Sequence, residues 1–207
     1  MSRCFGDATT GGFPQLASGY TDPSNPAFDR GYCDQDRTHL GVVTVGAQTP
    51  SFESTALRLI ASDWRVSGIV NARSGSPLNV IAGGDRAFTG LQQQRPQRVL
   101  DDPYASEKTT SQYLNPAAFA QPTNGTFGDY QRNSIKGPGF WKVDMAVSRL
   151  FSIGATQNVE IRVESFNVLN NFNWGNPTTN FSAATFGRIQ TQAGDPRIMQ
   201  FGVKYGF

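Results

Sequence analysis

The feature that most constrains this chain is the strict two-residue alternation of its last nine residues, M-Q-F-G-V-K-Y-G-F. Met199, Phe201, Val203, Tyr205 and Phe207 fall on one side of an extended strand, and Gln200, Gly202, Lys204 and Gly206 on the other, because β side chains point alternately to opposite faces. One face is wholly apolar and aromatic, the other small or polar. A half-buried strand of a soluble domain alternates in the same way, so the period establishes a strand without establishing its surroundings.

The same period recurs upstream. Residues 37–47 are β-branched and strand-like, and 64–73 alternate Trp64, Val66, Gly68, Val70 and Ala72 against Arg65, Ser67, Asn71 and Arg73, with Ile69 the exception. That strand is expected to bend at 74–77 and run on toward Ile81. Residues 140–151 place Trp141, Val143, Met145, Val147 and Phe151 on one face and Lys142, Asp144, Ala146 and Ser148 on the other, with Arg149 breaking the apolar face near its end. In 158–168, Val159, Ile161 and Val163 alternate with Glu160, Arg162 and Glu164. The expected fold class is therefore all-β: about five antiparallel strands, with residues 1–36 a loop segment, a long polar loop at 82–139, a second at 169–196, and short connections at 48–63 and 152–156. Trp64, Trp141, Phe151, Tyr205 and Phe207 sit at strand ends on the apolar face, as in the aromatic girdles of a lipid-facing band.

Composition excludes several other classes. Charged residues are 16% and the formal charge is +2, too little for a polyanion partner, so no nucleic acid is expected. No run reaches the ~18 apolar residues of a transmembrane helix, whereas a barrel strand needs only about 9–11 alternating residues. Catalytic chemistry is not expected. His39, the only histidine, stands at a strand start with no nucleophile beside it, and Cys4, Cys33 and His39 do not have zinc-site spacing, so neither metal nor cofactor is expected. Glu160 and Glu164 share a face with Arg162 between them, which suits a ladder of charges better than a glycosidase pair. Either Cys4 and Cys33 close one loop in an oxidising compartment, or they are two unpaired thiols in flexible sequence.

Further motifs carry a family resemblance. The ending Gln200, Gly202, Tyr205, Phe207 resembles the C-terminal insertion signal read by the barrel-assembly machinery of bacterial outer membranes. Y-L-N-P-A-A-F-A at 113–120, R-N-S-I-K-G-P-G-F-W-K-V-D at 132–144, E-S-F-N-V-L-N-N at 164–171, F-G-R-I at 186–189 and A-G-D-P-R at 193–197 are together similar to the C-terminal barrel of TonB-dependent outer-membrane receptors, in particular the Oar-like group with a carboxypeptidase-regulatory-like domain. W-R-V-S-G-I-V-N-A-R-S-G-S-P at 64–77 resembles an earlier strand of the same barrels. The resemblance covers residues 37–207 and implies a barrel of about 22 strands with a plugged lumen. It implies outer-membrane lipid and the TonB system, reached through other regions of a longer protein, as partners. The imported solute would be a carbohydrate, siderophore or peptide. Lys142, Asp144, Glu160, Arg162 and Glu164 would face the lumen. With the C-terminus on the periplasmic side, the resemblance also puts residues 1–36 and both long loops outside the cell. The opening residues lack a secretory signal, so the chain is expected to be the C-terminal part of a longer exported protein, not transport-competent alone. A secreted β-sandwich that binds carbohydrate through its loop aromatics, and a small outer-membrane protein built from several copies, are the alternatives.

Charge matching predicts the register of the hairpin formed by 140–151 and 157–168. If partner numbers sum to 308, Asp144 faces Glu164. If they sum to 306, Asp144 faces Arg162 and Lys142 faces Glu164, each unlike pair contributing roughly 0.2–1 kcal/mol. A sum of 306 is therefore expected, with the turn centred near Ile153–Gly154.

Overall fold

A computed structural model describes residues 3–5 (backbone only), 20–22, 24–154 and 156–207. The chain divides into two compact units interleaved in sequence: a sheet unit of residues 39–73, 140–173 and 194–207, and a loop unit of residues 1–38, 74–139 and 174–193. The loop unit thus draws on the N-terminal segment and two separate excursions from the sheet.

The sheet unit is one antiparallel sheet of β1 (Leu40–Gln48), β2 (Trp64–Arg73), β3 (Phe140–Ile153), β4 (Gln157–Phe166) and β5 (Ile198–Gly206), in spatial order β5-β4-β3-β2-β1. β2 coincides with the alternating stretch that marks it. It does not bend onward: Pro77–Leu78 pairs instead with Ile135–Lys136 in the loop unit. β4 stops at Phe166, two residues short of the expected end, because Asn167 turns to a positive φ of 51°. The connection between β1 and β2 holds a short helix, α1 (Thr55–Ala61), where a plain turn was expected. Its T-A-L-R-L-I-A sequence is rich in strong helix formers.

The hairpin register differs from the charge-matched one. Partner numbers across β3 and β4 sum to 310, as in Val159↔Phe151 and Val163↔Val147, so Arg162 faces Ser148 and Glu164 faces Ala146. The expected Asp144–Arg162 and Lys142–Glu164 cross-strand pairs are absent. Two physical reasons account for this. The charges neutralise one another along each strand, with Lys142 Nζ 2.7 Å from Asp144 Oδ2 and Arg162 Nη2 2.6 Å from Glu164 Oε1, which removes the bias toward cross-strand pairing. Gly154 opens the turn at φ +71° and does not centre it, so Ile153 stays in the strand opposite Gln157. The shift is an even number of residues, so every side chain keeps its face.

On one face the registers align rows such as Ala47–Val66–Val147–Val163–Phe201 and Val45–Gly68–Met145–Ser165–Met199. This face is uncovered: Phe201 and Val203 are each 75% exposed. The five long strands all belong to one sheet, where a β-sandwich would divide them between two. The other face carries rows such as Gln48–Arg65–Ser148–Arg162–Gly202. Leu40, Arg73 and Phe140 lie at one end of the sheet, and Phe166 pairs with Ile198 at that same end. The excursions 74–139 and 174–193 leave and rejoin the sheet at that end, and the N-terminal segment enters it there, while α1 and Gly154 lie at the other end.

The loop unit, expected to be irregular, has the molecule's apolar core. Val80, Tyr113, Leu114, Ala118, Phe119, Tyr130, Ile135, Phe186 and Ile189 form one buried cluster. Phe119 is its hub, 5.2 Å from the Phe186 ring centroid and 5.0 Å from that of Tyr130. In the opening segment, expected to be loop throughout, Arg3–Phe5 pairs with Arg30–Tyr32, and Pro26–Asp29 forms a 3-10 turn. Gly75 lies so close to this unit's backbone that a Cβ would overlap the Gly137 carbonyl.

Candidate functional site

The candidate site is the two-faced sheet itself. Lys142 and Asp144 on β3, and Glu160, Arg162 and Glu164 on β4, all lie on the polar face, because the registers preserve parity. Only Glu160 meets an unlike charge directly across a strand boundary, opposite Lys204. Asp144 also closes the end of β4, where its Oδ1 accepts the Asn167 amide at 2.8 Å. A groove of about 390 Å³ on this face is lined by Gln48, Arg65, Ser67, Ser148, Glu160 and Arg162. Two guanidiniums and a carboxylate there make a wettable wall of mixed charge.

Of the four residues of the terminal pattern, Gln200 and Gly202 lie on the polar face opposite Glu164 and Arg162, and Tyr205 on the apolar face opposite Val159. Phe207 follows the end of β5, almost fully exposed. The apolar face carries aromatics near both ends. Trp141 is near the end from which the long excursions leave, and Trp64, Phe151 and Tyr205 are near the turn end. Arg149 is the only charged side chain on this face among the described strand residues. Its guanidinium lies 4.6 Å from the Phe151 ring centroid and 5.3 Å from that of Trp64, and it donates to the carbonyls of Arg58, at 3.1 Å, and Leu59.

Sequence reasoning missed an asparagine clamp that finishes the sheet. Asn167 Nδ2 donates to the carbonyls of Asn171 and Asp195, at 2.9 and 3.1 Å, and its Oδ1 accepts the Asn171 amide. Asn173 both accepts from the Trp141 amide and donates to the Trp141 carbonyl, and Asn170 Oδ1 accepts the Arg197 amide. The signal was the spacing of four asparagines at 167, 170, 171 and 173, since Asn side chains imitate backbone groups and tolerate positive φ.

It also missed the polar heart of the loop unit. Arg95, inside Q-Q-Q-R-P-Q-R, is buried with Asp29, Nη1 to Oδ1 at 2.6 Å. Its Nε donates to the Tyr130 carbonyl and its Nη2 to the Phe28 carbonyl, and its charge sits 4.0 Å from the Phe28 ring centroid. Burial lowers the Arg95 pKa although Asp29 opposes the shift. Gln94 is equally buried and links Asp85, Thr89 and Ala87. Burial works to raise the Asp85 pKa, but the amides of Thr89 and Gly90 and the Gln94 side chain together hold it below the usual value. Tyr113 is pushed up to about 12, by burial first and then by Tyr104. Cys33 is buried and disulfide-bonded. Cys4 lies on the strand paired with Arg30–Tyr32, but its side chain is outside the described residues.

A family model described as an outer membrane beta barrel domain matches residues 1–200. No curated protein and no solved structure matches the chain.

Proposed function

The chain belongs to the outer membrane beta barrel domain family, and from that membership we propose that it is the C-terminal portion of a TonB-dependent receptor that imports a scarce solute. It is an all-β protein of the bacterial outer membrane. The observation that carries the proposal is the sheet's division of labour: an exposed apolar face rimmed by aromatics, and an opposite face bearing Lys142, Asp144, Glu160, Arg162 and Glu164. Lipid meets the first and a watered lumen the second, as barrel walls require. Long excursions at one sheet end and short turns at the other match extracellular loops and periplasmic turns. The TonB system would act through regions outside this chain, and the barrel-assembly machinery would read Gln200, Gly202, Tyr205 and Phe207. The solute is a carbohydrate, siderophore or peptide, and the charged wall contributes to its path. We also propose that Cys4 is the partner of Cys33.

A gene deletion tests this reading. Loss of the gene should abolish uptake of one solute class, and collapse of the proton gradient should do the same in the intact strain. Uptake that survives the collapse would refute TonB coupling.

The two free sheet edges favour a second reading. Among the described residues β1 pairs only with β2 and β5 only with β4, leaving open backbone groups that lipid cannot satisfy. Copies of the chain joined β5 to β1 would satisfy them in a small oligomeric barrel. A detergent-extracted barrel containing several identical chains, with no longer polypeptide, would favour that reading.

A further inference from the structure

We propose that α1 is a membrane-interface anchor. Its Leu57, Leu59 and Ile60 side chains dock into the phospholipid headgroup boundary at the turn end of the sheet, and Arg149 and Trp64 fasten it there. The inference rests on the lipid-facing assignment of the apolar face and on the periplasmic placement of the short turns.

Three observations point to a lipid occupant. First, the helix is fastened to residues of the apolar face. Trp64 Nε1 donates to the Ile60 carbonyl at 2.8 Å, and Arg149 Nη2 donates to the carbonyls of Arg58 and Leu59. Trp64 and Arg149 are direct cross-strand partners in one row of that face. A turn serving only to reverse the chain would not require a charge from inside the apolar face to hold it.

Second, the side chains that α1 presents do not suit water. Leu57 is 50%, Leu59 68% and Ile60 74% exposed, and none of the helix residues is buried. Arg58, also exposed, stands among them with a long stem and a cationic head. Apolar side chains at acyl depth beside a cation that can rise to phosphate are the composition of an interfacial segment.

Third, the level is right. Arg149 sits one row inside Phe151 and Tyr205, the aromatics of the turn end. A charge in that position needs partners that travel with it into the lipid boundary. The last-turn carbonyls of α1 serve, being the electronegative end of a helix. The rings of Trp64 and Phe151 cover the same cation. Arg149 Nη2 thus caps two carbonyls of the helix end, and those carbonyls supply its hydrogen-bond partners.

The test uses the full chain in isolated outer membranes, read on the heat-modifiable fraction so that barrel insertion is scored separately. Ile60→Cys and, for comparison, the exposed Glu53→Cys in the same connection are labelled with an environment-sensitive fluorophore without reductant. The Ile60 probe should emit at shorter wavelength and be quenched several-fold more by a lipid carrying a nitroxide near its headgroup than by aqueous iodide. The Glu53 probe should show the reverse. Arg149→Leu, which keeps the face apolar, should return the Ile60 probe to iodide. Trp64→Phe, which keeps the ring and removes the N–H donor, should shift it the same way. In an inserted barrel, an Ile60 probe open to iodide, or one shielded from both quenchers as by a protein partner, would overturn the lipid assignment. Indifference to both Arg149→Leu and Trp64→Phe would overturn the fastening.

Discussion

The sheet unit and the loop unit are built on opposite principles. The sheet has most of the regular structure, yet its apolar rows are exposed and, among the described residues, it has no buried apolar cluster. Among the described residues the loop unit has no strand longer than three residues, yet it contains the packed core and a fully buried ion pair. The difference shows what each unit uses as solvent. A unit that buries its own apolar side chains is stabilised from within, whereas a sheet with bare valines and phenylalanines on one face takes its apolar surroundings from the bilayer.

The largest effect expected from this contrast is at Phe119. Phe119→Ala should cost the loop unit ~3–5 kcal/mol, because the cluster around it cannot fully collapse. Phe201→Ala on the sheet should cost far less, since lipid tails refill the space. Hydrogen exchange resolved by segment would show this, and equal losses at the two sites would erase the distinction.

Next come charges placed on the sheet. Arg at Val143, Met145, Ile161 or Val163 should cost about 2–4 kcal/mol near the bilayer midplane. Arg at Ala146, between Ser67 and Glu164, should be tolerated. Ser148 is a poorer control than its alternation suggests, because the registers put it between Arg65 and Arg162, where a third guanidinium would be repelled. Urea titration of the inserted barrel measures both sets. Equal tolerance at Val143 and Ala146 would remove the lipid from the account.

A smaller effect separates the units by pH. The Tyr113 hydroxyl, ordinarily near 10, is raised to about 12 in the folded loop unit, by burial first. Below pH 10 the phenol is neutral whether folded or not, so its burial costs no charge. Between about pH 10 and about pH 12 the unfolded state releases the proton and the folded state retains it, so the loop unit loses stability across that window. Tyrosine difference absorption should follow the loss, and a Tyr113→Phe variant should lack this contribution.

The smallest effect is at the polar face. Glu160→Gln removes the attraction to Lys204 across β4 and β5 and should cost roughly 0.2–1 kcal/mol. A loss of several kcal/mol in the same urea titration would show that the wall's charges are dry, contrary to a watered lumen.

How much of this was legible in the sequence follows the same contrast. Strands are written in a two-residue period, and W-R-V-S-G-I-V-N-A-R announced β2 at its true bounds. Parity was legible too, because it needs only alternation. The hairpin register was not: Lys142–Asp144 and Arg162–Glu164 close along their own strands, a choice of rotamer that no cross-strand rule anticipates. The loop unit was the least legible. Gln94 and Arg95 sit in a run that reads as solvated, and both are buried because Asp29 and Tyr130, distant in sequence, meet Arg95 and a folded-back Asp85 meets Gln94. Hydropathy records what a residue costs to bury, not whether a partner will meet it.

The zipper of Pro77–Leu78 with Ile135–Lys136 also bears on the order in which the sheet assembles. β3 and β4 are three residues apart in sequence, but β2 and β3 are separated by the whole of 74–139, a search that a slack chain makes slowly. The zipper joins the two ends of that excursion while the excursion folds on itself. To the sheet, a long loop then behaves kinetically as a tight turn, and β2 and β3 can find their register almost as neighbours. The crowded backbone at Gly75 makes this junction its most fragile point. Gly75→Val should leave the finished sheet's face chemistry untouched while lengthening the time β2 takes to dock on β3.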